Sequence, residues 1–390
     1  MSDITQSIDA LLTGAVASGD VPGAVAMAVD RTGLLYQGAF GERVIGERQP
    51  MTLDTVVWIA SMTKPITSVA AMQLVERGEL ELDAPASRWA PELGDVQVLE
   101  GFDTSGAPRL RAPQRPITLR HLLTHTAGYG YPVWSKLLER FHEVQGLPST
   151  STCRNAALRA PLLFDPGERW NYGINIDWVG KLIEAASGMR LGAYLARHLF
   201  EPLGMRDTGF EITPSMRTRL ARVHERTASG ALTPIDFELP QDPEFEMGGG
   251  GLYSTASDYL QFVRMILDRG THNGTRVLQA KTVELMSRNH IGELLVTPLI
   301  TTMPARSNDA EFFPGSAKRW GLTCMINDET APTGRSPGSL AWAGMANTYF
   351  WIDPTRGIGG VYLTQLFPFA DRKSLPLFLE FEKAVYRSLS

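Results

Sequence analysis

Near the N-terminus the spacing of apolar residues changes from a helical pattern to a strand pattern. Apolar residues recur every three or four positions over residues 3–19, which predicts an amphipathic helix. Two apolar runs follow at residues 23–29 and 34–40, joined by the polar turn Asp30-Arg-Thr-Gly33. Their length and spacing predict a β-hairpin close to the start of the chain.

The C-terminal third again shows strand patterns. Residues 321–326, 339–352 and 357–366 are predicted as three strands separated by turn signals, and a helix is predicted from about Leu375 to Leu389.

The middle of the chain differs. From Ile66 to about Arg269 helical patterns alternate with loops rich in Pro and Gly, and residues 100–117 and 226–246 are expected to be long surface loops. Strands at both ends around a helical middle predict an α+β fold, with an antiparallel sheet built from both chain ends and a mostly helical insertion.

Composition narrows the class of protein. The chain has 390 residues, of which 43% are hydrophobic and 20% charged, with a formal net charge of −5. This length and apolar content exclude disorder over most of the chain, and the mild acidity argues against nucleic acid as a partner. The widely separated Cys153 and Cys324 are expected to be reduced thiols rather than metal ligands.

Targeting signals are not evident. The first residues lack the basic and apolar regions of a signal peptide, and no apolar stretch reaches the roughly 18 residues of a membrane span. We therefore expect a soluble cytoplasmic protein with no membrane partner and no cofactor.

The candidate chemistry begins at Ser61-Met-Thr-Lys64, directly before an almost fully apolar helix that should end at Gly78. Pro65 fits a first helical turn, so Ser61 and Lys64 lie three residues apart on one face and can meet. The helix N-terminus favours an alkoxide at the serine, and a buried lysine can accept its proton. The alternative is an ordinary N-cap serine with a solvated lysine.

Two further segments strengthen the catalytic interpretation. Tyr172 follows a turn and precedes a helix predicted over residues 177–186, and a phenol that faces a lysine ammonium loses its proton more easily. The strand segment Trp342-Ala-Gly344 includes a glycine that allows close backbone approach, as an oxyanion hole requires. Tyr172 could equally be an aromatic residue that fills the core.

In this order and spacing, Ser61-Met-Thr-Lys64, Tyr172-Gly-Ile and Trp342-Ala-Gly344 resemble the motifs of the serine β-lactamase/penicillin-binding-protein superfamily. The chain looks most similar to the family VIII carboxylesterases, which are esterases like class C β-lactamases. Four further segments extend the resemblance over about residues 10–388. They are Leu122-Leu-Thr-His-Thr-Ala-Gly128, Glu201-Pro-Leu-Gly-Met205, Gly249-Gly-Gly-Leu252 and Asn347-Thr-Tyr-Phe-Trp-Ile-Asp353.

The resemblance implies a β-lactamase/transpeptidase-like fold and a role for each matched residue. Ser61 would be the acyl-forming nucleophile, Lys64 its activator and Tyr172 the general base. The backbone N–H groups of Ser61 and Met345 would form the oxyanion hole. Which of Lys64 and Tyr172 is the base in each step stays open, because their protons are coupled.

Two departures from the superfamily pattern bear on the substrate. Trp342 stands where lactamases carry Lys or His, and Ile174 stands where class C enzymes carry Asn. A cation for a substrate carboxylate and an amide donor are thus missing, which favours neutral esters over β-lactams. We expect Trp342, Gly344, Ile174 and Tyr129 to contact the substrate.

Other conspicuous side chains receive ordinary interpretations. His121 and His125 have the spacing of a helical zinc pair but no third ligand, so we expect structural histidines and no metal. The arginines between Arg109 and Arg120 are expected to be solvated. Tyr129, Tyr131 and Trp134 could line an apolar pocket or simply fill the core.

The leading hypothesis is a serine carboxylesterase that hydrolyses short-chain acyl esters through an acyl-enzyme on Ser61. An acyltransferase using the same acyl-enzyme, a weak β-lactamase and a non-catalytic binding module are the alternatives. The motifs span almost the whole length, so we expect one lobe from residues 1–65 and 250–390 and a mainly helical lobe from residues 66–249. The active site would lie in the cleft between them.

Overall fold

The protein is described by a computed structural model over residues 3–322 and 324–389. Its α-helices, in chain order, are α1 Asp3–Ala17, α2 Thr63–Glu76, α3 Leu119–Leu123, α4 Lys136–Gln145, α5 Asn175–Ser187, α6 Leu191–Leu195, α7 Glu201–Leu203, α8 Pro214–Arg217, α9 Ala256–Leu267, α10 Ala280–Met286 and α11 Ser374–Arg387. None of the helices in these ranges combines the length and the apolar character needed to cross a bilayer.

The strands are β1 Gly23–Asp30, β2 Leu34–Val44, β3 Gln49–Pro50, β4 Val57–Trp58, β5 Val98–Phe102, β6 Pro108–Arg111, β7 His224–Arg226, β8 Leu232–Pro234, β9 Tyr253–Ser254, β10 Thr271–His272, β11 Thr275–Arg276, β12 Lys318–Trp320, β13 Met325–Asn327, β14 Leu340–Gly344, β15 Thr348–Asp353, β16 Ile358–Leu363 and β17 Leu366–Phe367. The main sheet of the described chain has the order β12-β13-β14-β15-β16-β1-β2-β3, and its pairs are antiparallel. The predicted α+β fold, with a sheet made from both chain ends, is confirmed.

Alternation along β15 shows that both faces of the sheet are covered. Phe350 contacts Tyr259 of α9, whereas the next residue, Trp351, contacts Phe378 and Phe381 of α11. Successive side chains of a strand point to opposite faces, so α9 and α11 pack on opposite sides. This double burial explains why β15 and β16 are buried along their whole length and mostly apolar, rather than alternating between apolar and polar residues.

Two of the predicted strands are wrong in extent. Residues 321–326 do not form one strand, because β12 ends at Trp320 and β13 begins at Met325. Residues 339–352 form the hairpin of β14 and β15, with Asn347 at a left-handed φ of +59° in the turn. An apolar run with both faces buried hides a tight turn from a pattern based on hydrophobicity.

The two segments expected to be surface loops each contain short strands. Residues 100–117 include the end of the β5–β6 hairpin, and residues 226–246 include β8, which pairs with β7. The division into lobes at residues 65/66 and 249/250 stays a prediction.

Helix and strand packing gathers distant segments around the start of α2. Helix α2 packs against α5, and the 3₁₀ turn Ala60–Met62 before α2 packs against β14. Residues near positions 61, 172 and 345 therefore meet, although more than a hundred residues separate each from the next.

Candidate active site

Ser61 lies in the 3₁₀ turn Ala60–Met62, directly before α2. The side chain of Lys64 reaches back along this face, and 3.0 Å separate Lys64 Nζ from Ser61 Oγ. Ser61 is partly exposed, whereas Lys64 is only 1% exposed. The structure thus shows the predicted local geometry: the helix starts just after Ser61, and the side chains of Ser61 and Lys64 meet on one face.

The residue before Ser61 has an unusual backbone. Ala60 adopts a left-handed φ of +46°, a conformation that costs an L-residue roughly 1–2 kcal/mol. Such strain persists only where the surrounding structure imposes it, and it is concentrated at functional sites. The sequence shows no sign of this feature, because alanine gives no turn signal.

Lys64 has two further polar partners that sequence reasoning missed. Its Nζ donates to the carbonyl oxygen of Gly249 at 2.5 Å and lies 3.2 Å from the hydroxyl of Tyr131. Burial lowers the pKa of Lys64 to about 7, and the nearby carboxylate of Asp177 opposes that shift. The neutral amine, which can accept a proton, is thus accessible near neutral pH.

Tyr172 stands across the site from Lys64. The centroid of its ring lies 4.7 Å from Lys64 Nζ, and its hydroxyl oxygen accepts a hydrogen bond from the Trp342 indole N–H at 2.8 Å. Burial raises the pKa of Tyr172, while the neighbouring Ser61 hydroxyl and the Trp342 indole act in the opposite direction. Burial outweighs these two lowering effects and favours the protonated phenol at neutral pH, so no lowering of the Tyr172 pKa by the nearby lysine is seen. The role of Tyr172 as general base stays a prediction.

A cavity of about 550 Å³ opens at Ser61. Among the predicted residues it brings together Ser61, Tyr172, Ile174 and Met345 on its wall. Most of the remaining wall is apolar or aromatic: Trp58, Tyr131, Pro132, Val133, Trp134, Leu147, Phe237, Met247, Met303 and Phe367. Charged groups are few and include Glu139, Glu143 and Arg306.

Three residues predicted to contact the substrate lie elsewhere. Tyr129 is fully buried and stacks on Trp178, so the cavity wall carries Tyr131 in its place. Trp342 is buried behind Tyr172, to whose hydroxyl its indole N–H donates at 2.8 Å. Gly344 packs against the carbonyl of Ile59, where a Cβ would overlap backbone.

The remaining candidates have structural surroundings. His121 accepts from the backbone N–H of Thr118 and completes the N-cap of α3, and His125 is buried against Tyr172 and Trp320. Within the described ranges no group of three or more His, Cys, Asp or Glu side chains is arranged to hold a metal ion.

Of the arginines expected to be solvated, Arg111 pairs with the buried Asp165 and Arg120 pairs with Asp83. A larger depression of about 900 Å³, bordered by Trp89 and Trp178, contains none of the predicted site residues.

Comparison with known proteins adds a family context to this geometry. Residues 8–380 match the profile of the family described as Beta-lactamase. The chain is 36% identical to a monacolin J acid methylbutanoyltransferase of Aspergillus terreus over 95% of its own length and 93% of the relative. It is 31% identical to a lovastatin esterase of Penicillium rubens, with 91% of each chain covered.

Similarity extends to a solved structure. Simvastatin synthase (LovD) from Aspergillus terreus, in its unliganded form, superposes with a TM-score of 0.88 at 32% identity, covering 100% of this chain and 99% of that one. The similar proteins thus include one named for acyl transfer and one named for ester hydrolysis, on the same fold.

Proposed function

Because the chain belongs to the β-lactamase family and is an enzyme with serine-hydrolase chemistry, we propose that it transfers an acyl group from an ester or thioester donor to the hydroxyl group of a small-molecule acceptor. Hydrolysis of the same acyl-enzyme is the competing reaction. The sequence-based hypothesis placed hydrolysis first, whereas the relatives favour transfer.

The observation that carries this proposal is the shape and chemistry of the cavity at Ser61. A volume of about 550 Å³ lies within the range of sites that enclose a drug-sized ligand, which is more than a short acyl group needs. Its apolar wall, which includes Trp58, Trp134 and Phe237, favours an organic alcohol over water near the acyl-enzyme. An acceptor and an acyl chain can therefore occupy the site together.

The proposed reaction uses the side chains of Ser61 and Lys64 and the backbone N–H groups of Ser61 and Met345. The Ser61 hydroxyl attacks the donor carbonyl and gives its proton to the neutral amine of Lys64. The backbone N–H groups of Ser61 and Met345 hold the oxyanion, and the proton passes to the leaving group as the acyl-enzyme forms. The acceptor hydroxyl then attacks, loses its proton to Lys64, and Ser61 is released with its proton restored.

Tyr172 is assigned the transfer of protons within this group rather than the first deprotonation. Ser61 lies close enough to lower the pKa of Tyr172, and the Tyr172 ring faces Lys64, so the phenol is placed to pass a proton between the serine and the reacting oxygen. The indole of Trp342 stabilises negative charge that develops on the phenol oxygen.

A weak β-lactamase activity has less support. The side chain of Trp342 takes the place of the superfamily's cationic residue and points its N–H at Tyr172 rather than at a substrate carboxylate. Ile174 presents an apolar wall where an amide would be needed. Membership of family VIII and a cytoplasmic location stay predictions.

The test is a product analysis with p-nitrophenyl butyrate as donor and increasing concentrations of a primary alcohol. We expect the butyrate ester of the alcohol to form and its ratio to free butyrate to rise with acceptor concentration. Ser61→Ala should abolish both products, whereas Ser68→Ala, which removes another hydroxyl from α2, should retain them. Free butyrate as the sole product at every alcohol concentration would contradict transfer and leave a hydrolase.

A further inference from the structure

The glycine run at residues 248–251 is tied closely to the candidate catalytic helix. The Gly248 carbonyl accepts from Thr67 Oγ1 at 2.8 Å, and the Gly249 carbonyl accepts from Lys64 Nζ at 2.5 Å. The backbone N–H of Leu252 donates to Thr63 Oγ1 at 3.1 Å. The loop therefore fixes one of the hydrogen-bond partners of Lys64.

A buried carboxylate holds this loop from the other side. Asp177 lies in the first turn of α5, five residues after Tyr172, and is 1% exposed. Its Oδ1 accepts from the Gly249 N–H at 2.8 Å, while Oδ2 is buried without a hydrogen-bond partner among the described residues. A Cβ at Gly249 would stand 2.7 and 2.9 Å from the two carboxylate oxygens, so this approach requires glycine.

We propose that Asp177 is a positioning residue for acylation: it holds the Gly249 peptide so that its carbonyl takes one N–H of Lys64 and the amine lone pair faces Ser61. The assignment rests on the proposed function, because it assumes that Ser61 is the nucleophile and Lys64 accepts its proton.

The hydrogen-bond inventory supports this orientation. A carbonyl oxygen can only accept, so the Gly249 contact always takes an N–H from Lys64. A neutral amine has two N–H groups, and the second can point to the Tyr131 hydroxyl. The lone pair is then left for the remaining partner, the Ser61 hydroxyl, at 3.0 Å.

The charge of Asp177 acts on the same lysine. Burial lowers the pKa of Lys64 and raises that of Asp177, and each charge opposes the shift of the other. The carboxylate also contributes to the raised pKa of Cys153, Tyr131 and Tyr172, for each of which burial is the larger cause.

His125 faces the lysine as well, and its pKa is lowered by burial and by Lys64. The phenols and the thiol stay protonated near neutral pH and this imidazole stays neutral. Lys64 and Asp177 are thus the groups of this cluster that change charge there.

The experiment measures acylation alone, as the rate at which an alkyl p-nitrophenyl phosphonate modifies Ser61 between about pH 5 and 9. Asp177→Asn keeps an oxygen for the Gly249 N–H but removes the charge. In a plot of the modification rate against pH, we expect the rising acid limb of Asp177→Asn to shift to lower pH by about one unit. The reason is that a nearby carboxylate no longer raises the pKa of Lys64. Asp177→Ala also loses the anchor and should react about 10- to 100-fold more slowly at the plateau.

Asp258→Asn is the matched control. Asp258 is a buried carboxylate in the first turn of α9, and burial likewise raises its pKa. This variant should keep the pH profile of the unmodified enzyme. If Asp177→Ala does not fold, as judged by circular dichroism, Gly249→Ala takes its place, because its Cβ would push the Gly249 peptide away from the Asp177 carboxylate; a wild-type plateau rate in that variant would overturn the anchor in the same way.

An unshifted acid limb in Asp177→Asn would overturn the role of its charge, and a wild-type plateau rate in folded Asp177→Ala would overturn the role of its anchor. A wild-type enzyme that acquires no phosphonate on Ser61 would instead contradict the proposed function, and the assignment of Asp177 with it.

Discussion

The indole N–H of Trp342 donates a 2.8 Å hydrogen bond to the phenol oxygen of Tyr172. Trp342 is only 5% exposed, so this donor acts in a protected environment. At the position of Trp342, the β-lactamases that this sequence resembles carry a cationic residue suited to a substrate carboxylate. Here a neutral donor is directed to a neighbouring side chain, and we therefore predict that this residue supports Tyr172 rather than binding a substrate carboxylate.

Replacing this donor tests its role. Trp342→Phe keeps an aromatic ring but leaves the Tyr172 oxygen without the indole N–H, and kcat/KM for ester substrates should fall about 10- to 100-fold if charge develops on that oxygen. Trp351→Phe is the control, because Trp351 is also buried in the sheet and its indole N–H has no hydrogen-bond partner among the described residues. Equal losses of kcat/KM in the two folded variants would contradict a specific role for the Trp342 donor.

The pKa of Lys64 predicts the pH dependence of acylation. Burial lowers this pKa to about 7, and only the neutral amine accepts the Ser61 proton. The rate of Ser61 modification should therefore rise with pH through about 7 and level off above it. A flat profile across this range would contradict Lys64 as the base.

Lys64→Arg extends the same test, since a guanidinium keeps its proton at every accessible pH. The rate should fall by about 10²- to 10⁴-fold, the usual contribution of a general base. Lys181→Arg, a substitution on the partly exposed side of α5, should leave the rate unchanged.

Gly344 controls the distance between β14 and the turn that carries Ser61. A Cβ at this position would overlap the Ile59 carbonyl and Thr348 Oγ1, so Gly344→Ala must push the strand away. The Met345 N–H would then move relative to Ser61, and kcat should fall about 100-fold, as a misplacement of about 1 Å can cause. Gly33→Ala, where a Cβ meets no atom within 4 Å, should retain full activity. Wild-type kcat in folded Gly344→Ala would refute this spacing role.

A buried ion pair away from the candidate active site is expected to contribute to the stability of the fold. The Arg335 guanidinium, 2% exposed, binds the Glu382 carboxylate, 0% exposed, on α11. Glu382→Ala leaves a buried charge unpaired and should lower the free energy of unfolding by about 3–5 kcal/mol. Glu380→Ala, which breaks the exposed pair with Lys383, should cost about 0.2–1 kcal/mol. Urea unfolding measures the free energy of unfolding of both variants. Equal decreases in the two variants would contradict a larger contribution from the buried pair.

Local features of the fold were predictable from the sequence. The helix expected over residues 3–19 is Asp3–Ala17, and the hairpin expected after it is β1 and β2. Errors arose where both faces of a segment are buried, as in the β14–β15 hairpin, because continuous apolar character removes the period that marks a turn. Asn347, which often adopts the left-handed conformation seen there, was the available signal.

For the candidate site, the sequence by itself determined the relation of Ser61 to Lys64, because three residues at the start of a helix bring two side chains together whatever surrounds them. The tertiary structure decided everything that depends on burial and distant partners. Lys64 meets Gly249, 185 residues away, and its lowered pKa exists only because the fold removes it from water. Tyr129 and Tyr131 are indistinguishable as sequence neighbours, and the packing of one on Trp178 leaves the other in the cavity.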